Sequence, residues 1–111
     1  MSVVLHWPPP ALSPNARGHW AKASKAKKVY RAACAWEATA AGFRPMDADS
    51  VHVCITFIPP DRRPRDLDNM LASIKSGLDG IADVIGVDDS KWSITIQKED
   101  RIGGMVRVVI T

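Results

Sequence analysis

Five apolar residues, Leu71, Ile74, Leu78, Ile81 and Ile85, recur at intervals of 3, 4, 3 and 4. That is the period of one buried face of an α-helix. The spacing predicts a helix over about 69–84. Asp68 or Asn69 can cap its first turn, because a short side-chain oxygen accepts from the unpaired N–H groups there. Gly86 supplies a stop. Just upstream, Val51 to Ile58 is rich in β-branched residues and predicts a strand, ended by Pro59-Pro60 because proline cannot donate to a ladder.

The same reasoning applies to the rest of the chain. Val3 to Trp7 predicts a first strand, stopped by Pro8-Pro9-Pro10, and residues 8–23 form a long loop. Either Trp20 anchors this loop in the core, or Arg17, His19 and Lys22 contact phosphates while Trp20 stacks on an exposed base. Ser24 can cap a second helix running to about Ala41 and closed by Gly42. Its apolar face is Val29, Ala33, Trp36 and Ala40, with Lys25, Lys28 and Arg31 on another face. Arg44 to Ser50 is a turn. Lys91–Lys98 and Met105–Thr111 predict two final strands, joined as a hairpin through the glycines of residues 99–104, with Trp92 supporting the acidic loop before it. The order β-α-β-α-β-β implies one α+β domain over 1–111, with a mixed, largely antiparallel sheet packed against helices.

Composition narrows the class. At 111 residues, 46% hydrophobic and 24% charged, the chain matches an ordinary globular domain, small enough to gain from dimerisation. Without an apolar run near 18 residues or a signal-peptide pattern, the expectation is a cytoplasmic protein with no membrane partner. Cys34 and Cys54 lack zinc-type spacing and read as reduced core residues, as does His52, which alternates with Cys54 on one strand face. The net charge of +3 hides an asymmetry. Residues 1–36 carry six Lys and Arg and no acid, giving +6; the remainder holds nine Lys and Arg against twelve Asp and Glu, giving −3. One end attracts polyanions while the other collects cations.

Candidate chemistry concentrates between Asp61 and Lys91, where Asp66, Asp68, Asp79, Asp83, Asp88 and Asp89 gather. If Arg65 to Asp68 is extended, Asp66 and Asp68 share a face. Lys75, seven residues after Asp68 and so roughly two helical turns on, lies on that side too. The Asp88-Asp89 pair can return a third carboxylate to the same end. Close carboxylates repel, and a hard divalent cation relieves the conflict. Magnesium suits such a site, with manganese as a substitute, since it takes oxygen ligands and needs only one or two protein carboxylates beside a phosphate. Arg62, Arg63 and Arg65 adjoin the site, either pairing with Asp61 or Asp66 or holding phosphates. Asp79, four residues after Lys75, fits a helix-surface pair with it, and Asp83 faces solvent.

Asp66-Leu67-Asp68-Asn69, then a helix bearing a lysine, then Asp88-Asp89, resembles the RusA family of Holliday-junction resolvases, endonucleases of phages and bacteria. Trp7-Pro8-Pro9, Ser13-Pro14-Asn15 and His19-Trp20 match that family's opening, so the likeness spans nearly the whole chain. The resemblance implies a RusA-like fold and a homodimer that uses magnesium to cut branched DNA. It implies Asp66, Asp68 and Asp89 as the metal-binding carboxylates, with Lys75 as the catalytic lysine. One departure is plain: the family's lysine falls four residues after the second aspartate, where this chain has Ala72, and Lys75 comes one turn later. Either Lys75 substitutes from the same face or a turn has been inserted.

The expected chemistry is metal-assisted phosphodiester hydrolysis, directed to a four-way junction by backbone position and branch shape. Arg17, His19, Lys22, Lys25, Lys28, Arg62, Arg63 and Arg65 are the expected DNA contacts. Two rival readings are a branched-DNA-binding protein with an inactive acidic cluster, and a nuclease preferring flaps or RNA.

Overall fold

Strand β2 (Val51–Ile58) forms the centre of the molecule in the computed structural model, which describes residues 1–18 and 20–111. On one face Val53, Ile55 and Phe57 are fully buried, as the β-branched run requires of a strand covered by helices. Two strands flank it: β3 (Trp92–Lys98) runs parallel, and β4 (Met105–Ile110) runs antiparallel. β1 (Ser2–His6) pairs antiparallel with β4, so the sheet order is β1-β4-β2-β3.

The mixed, largely antiparallel sheet agrees with expectation; the terminal hairpin does not. β3 and β4 lie on opposite sides of β2, and residues 99–104 cross the end of that strand instead of closing a tight turn. Backbone bonds fix the crossing: Glu99 N–H donates to the Phe57 carbonyl, Gly103 to that of Pro59 and Gly104 to that of Ile58. The two prolines that end β2 keep their carbonyls free to accept, and the crossing uses one of them.

Among the described residues, three α-helices complete the domain, in the order β-α-β-α-α-β-β. Helix α1 (Trp20–Ala40) starts a turn before the predicted Ser24 cap, because the Trp20-Ala21-Lys22-Ala23 stretch contains nothing that breaks a helix. It ends as expected. Gly42 has φ +96°, Phe43 N–H reaches back to the Ala38 carbonyl, and Gly42 N–H to that of Thr39, a Schellman closure. The predicted apolar face of this helix is displaced. Tyr30, Cys34 and Ala38 are buried, whereas Val29 is 60% and Trp36 70% exposed.

The single helix expected at 69–84 is two: α2 (Leu67–Ser73) and α3 (Lys75–Ile85), separated at Ile74. At this point Ile74 leaves helical geometry (φ −101°, ψ 5°), and Ser73 Oγ donates to the Asn69 carbonyl one turn back at 2.9 Å, a bond that favours bending. The apolar ladder is nevertheless intact: Ile74, Leu78, Ile81 and Ile85 are buried, with Met70 added and Leu71 only half-buried. Each such side chain contributes roughly 1.5–3 kcal/mol by leaving water. Gly86, at φ +70°, stops α3 as predicted.

α1 and α3 pack with their backbones unusually close. A Cβ at Gly80 would lie 2.3 Å from the Arg31 carbonyl oxygen, and one at Gly77 would lie 2.6 Å from the Tyr30 ring. Arg31 then reaches across to Asp83 with two bonds of 2.8 Å. Arg31, placed from sequence on the basic face, and Asp83, placed in solvent, both remain exposed and clamp the two helices. Among the described residues, no helix is long and apolar enough to cross a membrane.

The second face of the sheet is open. His52 and Cys54 lie there, half-buried, and His52 bridges Ser93 (2.7 Å) and Thr95 (3.0 Å) of β3. For His52 the expected core role is replaced by this cross-strand one, while Cys54 is half-buried and reduced. Cys34 is the buried thiol, and both cysteines are free.

Candidate functional site

The N-terminus of α2 places the first two carboxylates. Asp66 is the last extended residue, at ψ 139°, and the helix begins at Leu67, so Asp68 lies in its first turn. The N-cap position falls at Asp66, whose side chain makes no capping bond, and the strand-type alternation expected to align Asp66 with Asp68 does not apply. The two side chains line different grooves. Asp66 faces a groove of about 660 Å³ with Trp7, Asn15, Arg63, Asn69 and Ser73. Asp68 faces one of about 520 Å³ with Lys27, Lys75, Ser76 and Asp79.

The third carboxylate does return. Gly86 turns the chain, and Asp89 comes back to the start of α3, where Lys75 Nζ lies 2.6 Å from Asp89 Oδ2 and 2.6 Å from Asp79 Oδ1. Lys75 therefore holds two carboxylates, and its pKa is raised by Asp79 first and Asp89 second. The expected Lys75–Asp79 helix pair is present. Its sharing with Asp89 is what the sequence did not reveal, since contacts between residues 14 apart leave no periodic trace. Asp88 plays a different part. Its carboxylate accepts from Ser90, which holds its pKa below the usual carboxylate range, and it caps the 3₁₀ turn Asp89–Lys91. Trp92 supports this loop as predicted, donating from Nε1 to the Val87 carbonyl at 2.9 Å.

Asp66, Asp68 and Asp89 do not form a three-carboxylate cluster. Among the described residues, the trio of metal-type donors lying within 4.8 Å of one another is His6, Cys34 and Glu37. That trio has a structural explanation. Glu37 accepts from both the backbone N–H (3.1 Å) and Nδ1 (2.6 Å) of His6, tying the edge of β1 to α1. Burial pushes the Cys34 thiol up to about 12, so it stays neutral.

Arg63 and Arg65 pair within the loop they sit in, and Arg62 pairs with the 99–104 crossing. Arg65 bonds Asp61 at 2.8 Å, is 15% exposed, and lies 5.5 Å from the centre of the Trp7 ring. Arg63 also pairs with Asp61, and Arg62 with Asp100 at 3.5 Å. Bonds from Arg65 first, then from the Arg63 backbone, hold the Asp61 carboxyl down to about 2. A carboxyl depressed in this way contributes its stabilisation above the ordinary carboxylate pKa and loses it as pH falls through about 2. Acidification from about pH 4 to about pH 2 is therefore expected to free Arg65 from Asp61 and change Trp7 emission, measured against a Trp7→Phe control. Asp61→Asn should give the low-pH signal already at neutral pH.

Basic residues of α1 and of the loop before it line three grooves, one of which also holds Asp68. Lys27 lines the Asp68 groove; Lys22 and Lys25 line an apolar groove against Trp7; Arg17 and Lys22 line a third with Pro10 and Ala16. Lys28 is exposed. His19 lies outside the described residues. Trp20, expected as a loop anchor or stacking group, is 76% exposed at the start of α1, and Leu12 is the buried residue of this loop instead. On the expectation that these lysines contact DNA, Lys25→Ala with Lys28→Ala should weaken binding and reduce its salt slope by about 2, one unit for each phosphate no longer neutralised. Titrations at several salt concentrations would measure this, and an unchanged slope would remove the helix from the interface.

A mixed four-stranded sheet with two long helices on one face, and an acidic end beside a basic helix, defines a small α+β domain. The chain belongs to the same family as an uncharacterized protein of Xylella fastidiosa (strain Temecula1 / ATCC 700964). The two are 41% identical over 113 aligned residues, spanning 99% of this chain and 74% of that protein. No family model matches the sequence.

Proposed function

We propose that this chain is a RusA-type endonuclease, which hydrolyses phosphodiester bonds in four-way or otherwise branched DNA as a homodimer with magnesium. The observation that carries the reading is the convergence on Lys75. Carboxylates from two separate stretches, Asp79 and Asp89, meet one cation beside a groove that also presents Asp68.

The donor set fits a hard ion in kind, since it is all carboxylate oxygen, and the Lys75 ammonium is a cation already accommodated between two of these groups. Ser76 Oγ, in the wall of the same groove, is buried and makes no hydrogen bond among the described residues. It is an unused donor and acceptor there. Asp68 and Asp89 are the residues that would hold magnesium, and Asp66 opens on a separate groove. Magnesium, when bound, supplies charge neutralisation and an acidified water. Lys75 supplies a fixed positive charge for the phosphate, and the lysines of α1 position the DNA backbone.

A second reading is favoured by one specific observation. Asp66, Asp68 and Asp89 are not gathered within 4.8 Å, and Lys75 already relieves the repulsion between Asp79 and Asp89. A branched-DNA-binding protein without cleavage would share those features. Incubating the purified chain with an end-labelled four-way junction and magnesium separates the two: symmetric nicks support the endonuclease, whereas a shifted complex with no product supports the binding protein. Flap, duplex and RNA substrates in parallel define the preference.

A further inference from the structure

Between the end of β1, residues 9–11 and the first half of α1 lies a groove of about 490 Å³. Trp7, Pro9, Ala11, Ala26, Val29 and the almost fully buried Tyr30 line it, together with His6, Lys22 and Lys25. Among the described residues, no carboxylate lines it. We infer that this groove receives a nucleobase displaced from its stack, with Lys22 and Lys25 on the flanking phosphates. The inference rests on the DNA-binding part of the proposed function and adds the subsite at which an unpaired base is held.

Three observations argue for this occupant. The lining is largely apolar and holds one half-buried aromatic ring, Trp7, which suits the flat face of any base and selects no sequence. The two ammonium groups accompany those walls on a helix whose preceding residues hold no acid, so the complementary ligand joins an apolar ring to negative charge. The volume falls in the range of pockets that enclose small ligands. The position also matters: Trp7 and Pro9 wall this groove on one side and the Asp66 groove on the other. A base seated against Trp7 therefore lies beside the groove that Asp66, Arg63 and Arg65 line. At a junction or fork, unpaired bases are available at the branch point, which gives the protein a way to register on branched DNA without reading sequence.

The test compares two labelled oligomers of about 12 nucleotides and equal charge, oligo(dT) and an abasic chain of the same number of phosphates, by fluorescence anisotropy in EDTA. Oligo(dT) is expected to bind at least about 10-fold tighter than the abasic chain, in keeping with the worth of one stacked base. Val29 is exposed, so Val29→Gln should leave the fold intact. That variant should cut the preference below about 3-fold while leaving abasic affinity unchanged. Lys22→Ala with Lys25→Ala should weaken both ligands alike. Quenching of Trp7 emission by oligo(dT) but not by the abasic chain is the second readout. Equal affinity for the two chains, or a preference that Val29→Gln leaves whole, overturns the inference and reduces the groove's lysines to ordinary phosphate contacts. No cleavage is required: a chain that prefers bases yet never cuts junctions keeps the groove and loses the nuclease, and one that cuts junctions while treating both chains alike loses the groove alone.

Discussion

Gly80→Ala is expected to destabilise the protein by about 3 kcal/mol, at the upper end of overpacking costs. In a free helix the same change would be favourable by up to about 1 kcal/mol, because alanine restricts the unfolded chain and glycine does not. Here the added methyl would sit 2.3 Å from the Arg31 carbonyl oxygen, with the Ala35 nitrogen at 3.1 Å. These are backbone atoms, so no rotamer change relieves the clash, and the helices must separate. Separation would also loosen Tyr30 and Cys34 against α3 and pull Arg31 from Asp83. Thermal unfolding should fall by about 10–20 °C for a domain of this size. Gly77→Ala makes the comparison: its neighbours are the Tyr30 ring and Cys34 Sγ, side chains with some freedom to move, so its loss should be smaller. Equal losses, or a Gly80→Ala protein as stable as the parent, would show that the helices can part without cost.

The pair Gly77 and Gly80 also marks how far the sequence could be read. The ladder from Ile74 to Ile85 identified the buried face of α3 because a periodic apolar pattern records burial directly. The same pattern cannot record a close backbone approach, for which the glycines were the unused signal. On α1, Val29 and Trp36 suggested an apolar face, yet they are exposed and Tyr30, Cys34 and Ala38 are buried. In an alanine-rich helix, small residues fit either side, so periodicity loses its discrimination and the larger Trp36 misleads. The hairpin failed for a different reason. Glycines at 103 and 104 signalled a reversal correctly, but which strand the returning chain joins is decided by β2 claiming both neighbours, a long-range competition that no local turn signal encodes. The candidate site divides in the same way. The Lys75–Asp79 spacing was legible as a helix pair, whereas Asp89 reaching Lys75 depended on the Gly86 turn and the direction of the following loop.

Asp89→Asn is expected to lower junction cleavage by about 100-fold or more, the scale on which a group that stabilises transition-state charge acts, with junction affinity unchanged or tighter. Asparagine keeps the shape and one acceptor oxygen but removes the charge that Lys75 now shares between Asp79 and Asp89. Lys75→Ala distinguishes the two roles open to that lysine. If the ammonium only clamps the loop of Asp89 to α3, its loss should lower stability, and cleavage should recover when magnesium is raised enough to fill the space between the freed carboxylates. If Lys75 acts on the phosphate, cleavage should stay at least about 10-fold down at saturating magnesium while junction binding changes far less. The second outcome is the one expected here. Asp79 is the complementary position: it bonds Lys75 from the next helical turn, so Asp79→Asn should release the ammonium toward Asp89 and cost less activity than Asp89→Asn. Cleavage retained in Asp89→Asn, Asp68→Asn and Asp66→Asn alike would remove the acidic end from the chemistry and leave the basic helix as a DNA-binding surface.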